Sequence, residues 1–359
     1  MAIEVTNYQC PSCTGPLHFS SESGRLDCDY CGESYDVATI ELLYEDKNEA
    51  AANATKDPQW DFAMEEWGEE EVAHMRAYTC PSCGAQIICD DTTAATSCPY
   101  CNNPTVVPGQ FTGSLRPDFV IPFKVDKEAA KAALKGYYKG KKFLPKSFSA
   151  ENKLKELKGI YVPFWLFDGV SDGDIRYRGT KNHSYTEGDE KVTVTDHYNV
   201  VREGNVTFEK VPVDGSTKMP DAHMDAIEPY DYSMLVPFSS AYLPGYLADK
   251  FDVDADTCSE RANERIRTST QDVFESTISG YASLTPESSH IKIEAGEVKY
   301  ALLPVWILNT KWKGKDFLFA MNGQTGKLIG DLPVDRVKFA AWFAGISLPL
   351  MLLLGIILF

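Results

Sequence analysis

Eight of the ten cysteines lie in the first 101 residues as four Cys-x-x-Cys pairs, and no other feature limits the fold of this chain so tightly. Cys10-Pro11-Ser12-Cys13 is followed, after 14 residues, by Cys28-Asp29-Tyr30-Cys31. Cys80-Pro81-Ser82-Cys83 is followed, again after 14, by Cys98-Pro99-Tyr100-Cys101. The openings match, the spacers match, and both units keep a Tyr before the last Cys. They form an internal repeat offset by 70 residues. Two residues between cysteines make a turn that aims both sulfurs at one point, and four thiolates complete a tetrahedron around Zn²⁺ at ~2.3 Å. The spacing therefore assigns one Zn²⁺ to Cys10, Cys13, Cys28 and Cys31 and a second to Cys80, Cys83, Cys98 and Cys101. Four thiolates leave no position for a reacting water, so both sites read as structural. A unit of ~30 residues buries too little apolar surface to fold alone, and the metal supplies the difference. Gly32, Gly84 and Asn102 follow their knuckles and suit the positive φ on which such a turn ends, whereas the first knuckle has Thr14 and then Gly15. The spacers suit short hairpins turning at Gly24 and at Asp90-Asp91. Cys89, in the run Ile87-Ile88-Cys89, reads as a packed strand residue, and Cys258 as a buried helical thiol.

The net charge of −17 is concentrated in the same region. Residues 1–115 hold 19 acidic and four basic residues, or −15; the other 244 hold 33 and 31, or −2. No Lys or Arg lies between Tyr78 and Leu115, and each four-thiolate zinc adds about two negative charges. Nucleic-acid affinity rests on neutralising phosphates, so this composition argues against it and favours a protein partner. Residues 41–76 add 11 acids against three bases, with helical pieces at Ala50–Ala54 and Phe62–Trp67 broken near Pro58 and Gly68. Trp60, Phe62 and Trp67 either pack on a folded part or serve as a docking motif.

At the other end, Phe339 to Phe359 is 21 residues without a charge. As a helix it reaches ~31 Å, the thickness of a bilayer's hydrocarbon core. With Arg336 and Lys338 on its N-terminal flank, it predicts a single-pass anchor in the cell membrane with residues 1–335 cytoplasmic. Whether the native chain continues past Phe359 is left open.

The stretch between reads as a folded body. Asp118–Phe123 is a strand, and Asp126 caps a helix over Lys127–Tyr138. A short helix covers Ala150–Leu157, Gly159–Phe167 is a buried strand, and hairpins run to Val213, with alternation at Lys191–Val201 and Asn205–Val211. Asp254–Ser279 has apolar residues at helical spacing. Ile291–Ile293, Tyr300–Leu308, Lys315–Met321, the Asn322-Gly323 turn and Lys327–Gly330 follow. Val162-Pro163-Phe164-Trp165-Leu166 and Leu303-Pro304-Val305-Trp306-Ile307 are near copies, each after a helix and before a hairpin. The expected fold is therefore multidomain. Two small β zinc ribbons, each with a four-cysteine site (1–37 and 77–107), are joined by an acidic, partly helical linker (38–76). An α+β body (112–335), with an antiparallel sheet of two related α-β-β units, leads to a C-terminal transmembrane helix (336–359).

No catalytic set stands out. The histidines at 183, 197, 223 and 290 lack metal or triad spacing, and no Walker loop, Gly-x-Ser-x-Gly or His-Glu-x-x-His is present. Asp168, Asp172 and Asp174 fail the calcium-loop pattern and fit a polar hairpin. The Pro/Tyr-rich run 229–246 reads as sheet cover or as a docking groove. The chain is not expected to be an enzyme, although a site assembled from distant residues stays open.

The repeated Cys-Pro-x-Cys and Cys-x-Tyr-Cys knuckles resemble the zinc ribbons of transcription factor IIB. With Ile121-Pro122-Phe123-Lys124-Val125, Tyr161–Asp168, Asn322–Lys327 and the C-terminal apolar segment, they are similar to the bacterial TFIIB-type zinc-ribbon membrane proteins. That resemblance implies a role near phage-shock protein A and SPFH (flotillin-like) proteins in membrane-stress scaffolding, while the two Zn²⁺ ions follow from the spacing, the doubled ribbon being a departure from simpler relatives. The anchor, the acidic metal modules and the missing catalytic set together predict a membrane-anchored adaptor that recruits cytoplasmic proteins, holds the bilayer through 339–359 and spaces or assembles its partners through the body, with homo-oligomerisation open. The alternative is a membrane-tethered nucleic-acid-binding protein.

Overall fold

The computed structural model describes residues 9–13, 15–20, 25–40, 58–62, 66–90, 93–95, 97–104, 106–109, 115–145, 148 and 156–358. They fall into two compact units, one of Met1–Gln59, Ser171–Val206 and Ser269–Glu294, the other of Trp60–Val170, Thr207–Thr268 and Ala295–Phe359. The helices expected at Ala50–Ala54 and Ala150–Leu157 and the turn at Gly24 lie wholly or mostly outside the described residues.

The chain opens with a three-stranded antiparallel sheet of β1 (Leu17–Ser20), β2 (Arg25–Cys28) and β3 (Ser34–Tyr35). Among the described residues, Cys10, Leu17, Leu26, Cys28 and Ile40 are buried together in its core. A short helix α1 (Glu69–Ala73) leads to β4 (Met75–Thr79), β5 (Gln86–Asp90), β6 (Val107–Gly109) and β7 (Phe119–Val120). Helix α2 (Lys127–Tyr138) starts where Asp126 accepts the Ala129 N–H at 2.8 Å, and it buries Ala130 and Leu134. Two long strands follow, β8 (Lys158–Glu187) and β9 (Glu190–Asp214), joined by a two-residue turn with Gly188 at φ 66°. Then come α3 (Asp221–Ile227), β10 (Val236–Pro237), β11 (Leu247–Asp249) and α4 (Ala255–Ser276), the last capped by Asp254 on the Thr257 N–H. β12 (Ser283–Trp312), β13 (Lys315–Asn322), β14 (Leu328–Gly330) and α5 (Arg336–Leu358) complete the order.

Eleven strands form one sheet in the order β10-β7-β12-β8-β11-β5-β4-β6, with β9 on β8, β13 on β12 and β14 on β13. The sheet is mixed, which corrects the antiparallel body expected from the hairpin pattern. β7 pairs parallel with β12, and β11 pairs parallel with β8. These short parallel strands connect to their partners only through long crossovers, so local alternation carries no sign of them.

Each long strand also changes character along its length. In one unit Ile160–Phe167 is buried on both faces, like an interior strand. In the other, Ser171, Gly173, Ile175, Tyr177 and Gly179 alternate inward with period two. The small inward residues make room: a Cβ on Gly173 would lie 2.9 Å from the Phe274 ring, and one on Gly179 2.6 Å from Tyr281. Sequence patterning reads this change as a strand end followed by hairpins, yet the backbone continues unbroken. Asp168, Asp172 and Asp174 lie along this strand, and Asp168 accepts the Lys210 N–H at 2.5 Å.

The two near-copied segments occupy matching positions around β8 and β12. Trp165 Nε1 donates to the Val253 carbonyl at 2.9 Å, just before α4; Trp306 Nε1 donates to the Val125 carbonyl at 2.9 Å, just before α2. Pro163 O accepts the Gly215 N–H at 2.9 Å, and Pro304 O accepts the Gly323 N–H at 2.7 Å. Gly215 O in turn receives Asp252 and Val253 N–H, as Gly323 O receives Lys124 and Val125 N–H. Each tryptophan thus secures the helix that precedes the other copy, so the helices are exchanged between the two repeats. The Asn322-Gly323 turn is wider than a two-residue hairpin. Asn322 Oδ1 caps the Gln324 and Thr325 N–H groups, and Gly326, at φ 79°, takes the left-handed position.

Trp60 packs edge-on against Phe167 at 5.0 Å and Trp67 against Phe238 at 5.3 Å, so both tryptophans serve packing. The Pro/Tyr-rich run covers the sheet: Tyr230 reaches the Pro304 carbonyl, and Tyr246 stacks on Phe123 at 4.0 Å. Gly296 lies so close to β8 that a Cβ would stand 2.4 Å from the Asp168 carbonyl oxygen. Because that obstacle is backbone, Gly296→Ala is expected to cost about 1–3 kcal/mol by urea titration, the usual cost of overpacking.

The C-terminal segment is helical, with Pro349 inside α5. Among the described residues, however, no helix is long and apolar enough to cross a membrane. This overturns the transmembrane helix at 336–359, the bilayer contact through 339–359 and the single-pass cell-membrane placement. The first turns of α5 pack on the body. Lys338 Nζ donates to the Leu144 carbonyl at 2.9 Å, and Phe339 and Trp342 stand edge-on to Phe143 at 5.5 and 6.4 Å.

Candidate metal centres

Among the described residues, two groups of side chains could hold a metal ion: Cys10, Cys13, Cys28 and Cys31, and Cys80, Cys83, Cys98 and Cys101. Within each group all four sulfurs lie within 4.8 Å of one another. Cys10 and Cys31 Sγ are 3.5 Å apart and Cys13 and Cys28 3.4 Å; in the second group both such pairs are at 3.6 Å. Thiolates ~2.3 Å from a tetrahedral ion lie ~3.8 Å apart, so both sets fit one ion with little adjustment.

The knuckles close as their sequences dictate. Cys28 N–H binds Glu33 O and Gly32 N–H returns to Cys28 O; Cys80 and Cys98 repeat the pattern with Ala85, Gly84, Asn103 and Asn102. Gly32, Gly84 and Asn102 adopt φ of 76°, 72° and 56°. Burial raises the Cys80 thiol, but N–H groups of Cys83 and Ser82 outweigh it and hold the thiol at about 7. Cys10 is held lower, at about 6, where the Tyr35 hydroxyl and the Cys13 and Ser12 amides outweigh burial. One sulfur of each cluster is thus held low, as a metal-binding thiolate requires, while burial pushes Cys83 and Cys98 of the second cluster up. Cys89 is a buried residue of β5 whose Sγ donates to Thr93 O, and Cys258 is buried on α4; neither joins a cluster.

The two units differ in what surrounds them. β1 and β2 form the hairpin expected of the first spacer. In the second unit β5 pairs instead with β4 and with β11, so that spacer is a strand of the large sheet. Its composition suits that place: Ile87, Ile88 and Cys89 are all buried, as in an interior strand covered on both faces. The last knuckle is fixed to the body as well. Tyr100 donates its hydroxyl to Asp249 Oδ2 at 2.6 Å, and Ser216 Oγ donates to the same oxygen at 2.6 Å. Lys158 Nζ donates to the Ser97 and Cys98 carbonyls at 2.9 and 3.2 Å. Asn309 donates to the Tyr100 carbonyl and receives the Asn102 amide at 2.6 Å. Sequence reasoning found all eight cysteines and missed Asp249, Ser216, Lys158 and Asn309, which lie far off in sequence. Their one trace is the repeated Tyr before the last Cys.

Burial pushes the Asp249 carboxyl up from an ordinary 3.8 to about 7, against the hydroxyls that lower it. A carboxyl raised in the folded state favours folding most when protonated. Its stability is full below pH 3.8 and is lost as pH rises towards 7. Asp249→Asn is therefore expected to flatten the decline of stability between pH 4 and 7. An equal loss at both pH values in urea titrations would contradict this.

These features define a class: a protein with two four-cysteine clusters that could each hold a metal ion, one of them built into a large sheet-rich body. The chain is 35% identical over 346 residues to the uncharacterized protein YdjG of Bacillus subtilis (strain 168), covering 96% of this chain and 94% of that one. It belongs to the family of that protein. No family model and no solved structure matches the chain.

Proposed function

We propose that this protein is a zinc-dependent adaptor whose first ribbon is presented to protein partners and whose second ribbon is a structural part of the body. Each site takes one Zn²⁺, because four thiolates suit that ion and leave no open position for chemistry. The observation that carries the reading is the contrast between two copies of one module: residues 29–34 of the first are exposed, whereas Cys98, Pro99 and Tyr100 of the second are buried against the sheet. A strongly acidic N-terminal third favours protein over phosphate. One cavity, of about 380 Å³, is lined by Gly140–Leu144 and Leu332–Val334 and offers two lysines but no carboxylate, histidine or hydroxyl.

The test is a tagged pull-down of zinc-loaded full-length chain with in-cell cross-linking, beside Cys10→Ser. Specific protein partners lost in the variant support the adaptor. Recovery of nucleic acid in their place, with retention that weakens steeply with salt, would overturn it.

A further inference from the structure

Tyr30 and Tyr100 occupy the same place in their repeats, and the second copy displays what this knuckle binds. Tyr100 is 6% exposed, with its hydroxyl on a buried carboxylate, its carbonyl on an amide and a lysine on the preceding backbone. Tyr30 is 78% exposed. It is not a loose side chain: its ring lies over Gly15, where a Cβ would stand 2.9–3.2 Å from it. The knuckle backbone is the same, with Gly32 at φ 76° where Asn102 is at 56°. The first copy therefore presents, ready-made, the surface the second has already filled.

The charges around it differ, and they select the occupant. Asp27 and Asp29 replace Ser97 and Pro99, and among residues 25–40 four acids (Asp27, Asp29, Glu33, Asp36) face one Arg25. The Asp29 and Asp36 side chains are 80% and 69% exposed. A bound four-thiolate zinc adds about two more negative charges. A second copy of this chain is a poor occupant, because its matching receptor at Asp249, Ser216 and Asn309 is filled by its own Tyr100. Resting on the adaptor reading above, we infer that the Cys28–Glu33 knuckle is the docking surface of the first ribbon. Its partner is a different protein, with a hydrogen-bond acceptor in a pocket for the Tyr30 ring and Lys or Arg around that pocket for Asp27 and Asp29. The partner thus repeats the arrangement of Asp249 with Lys158 in more basic form.

The probe is full-length, zinc-loaded protein carrying photoreactive benzoylphenylalanine at position 30, with the same group at the exposed Tyr185 as control. The captured protein is then purified and titrated against the wild type and variants. Expected is capture at position 30 and not at 185. Affinity should fall about 5-fold for Tyr30→Phe, which loses one hydrogen bond, and about 10-fold or more for the double variant Asp27→Lys with Asp29→Lys. Zinc content unchanged in both variants shows that the ribbon still folds. Capture equal at 30 and 185, cross-links to a second copy alone, or affinity indifferent to these changes would overturn the inference. If partners still assemble through the first ribbon in a manner lost in Cys10→Ser, the adaptor reading survives that failure. If no partner is recovered by either route, both fall.

Discussion

Cys80→Ser is expected to remove one zinc and to lower the thermal midpoint of the sheet by at least ~10 °C, whereas Cys10→Ser removes one zinc and leaves that transition in place. The difference follows from where each cluster's neighbours lie. Cys80 and Cys98 share a core with Ile87, Ile160, Val162 and Leu303, and β5, between the two knuckles, pairs with β4 and β11. Among the described residues, Cys10 and Cys28 share theirs with Leu17, Leu26, Ile40 and the flanking Tyr35 and Val37. Structural zinc supplies ~10–16 kcal/mol to isolated fingers, comparable to the whole stability of a typical domain. Even half of that, lost at the sheet, moves the midpoint by ~10–20 °C at this size. Calorimetry with metal analysis checks the pair; equal shifts from the two variants would contradict the division into a structural and a presented ribbon.

Trp165→Ala should cost about 3–5 kcal/mol, and Trp306→Ala a similar amount, by chemical denaturation. Both rings are buried, at 1% and 4% exposure, and both indole N–H groups hold the residue before a helix. Trp165 also packs on Phe251 and Tyr300 at 5.1 Å each, and Trp306 on Phe123 at 5.2 Å. Truncation empties a large site that two strands and a helix entry share, with little freedom to collapse. Because each tryptophan secures the helix of the other repeat, the double variant should cost more than the sum of the two. A cost below ~1 kcal/mol for either would show that the exchanged helices are held by other contacts.

What the sequence disclosed was whatever is encoded locally. The two four-cysteine clusters follow from spacing alone, and the glycines after the knuckles from the need for positive φ. Asp126 announces its helix because capping is a four-residue affair, and the observed start at Lys127 follows it directly; the helix expected over Asp254–Ser279 from its apolar spacing runs Ala255–Ser276. The long strands were cut short because β8 changes from burial on two faces at Ile160–Phe167 to burial on one beyond Ser171, which looks like a boundary to any pattern of fixed period. The parallel neighbours β7 and β11 are two and three residues long, too short to carry a pattern. The apolar C-terminal run promised a membrane span on composition, but composition does not reveal that Phe143 and Leu144 engage its first turns. The seat of Tyr100 was hidden for another reason: Asp249 is 149 residues away.

X-ray absorption at the zinc edge, with metal quantification on the purified full-length chain, tests the central claim most directly. The account predicts two zinc ions per chain, each with four sulfur neighbours at ~2.3 Å and no oxygen or nitrogen bound directly to the metal. Fewer than two ions, or a site with a light-atom ligand open to exchange, would contradict it.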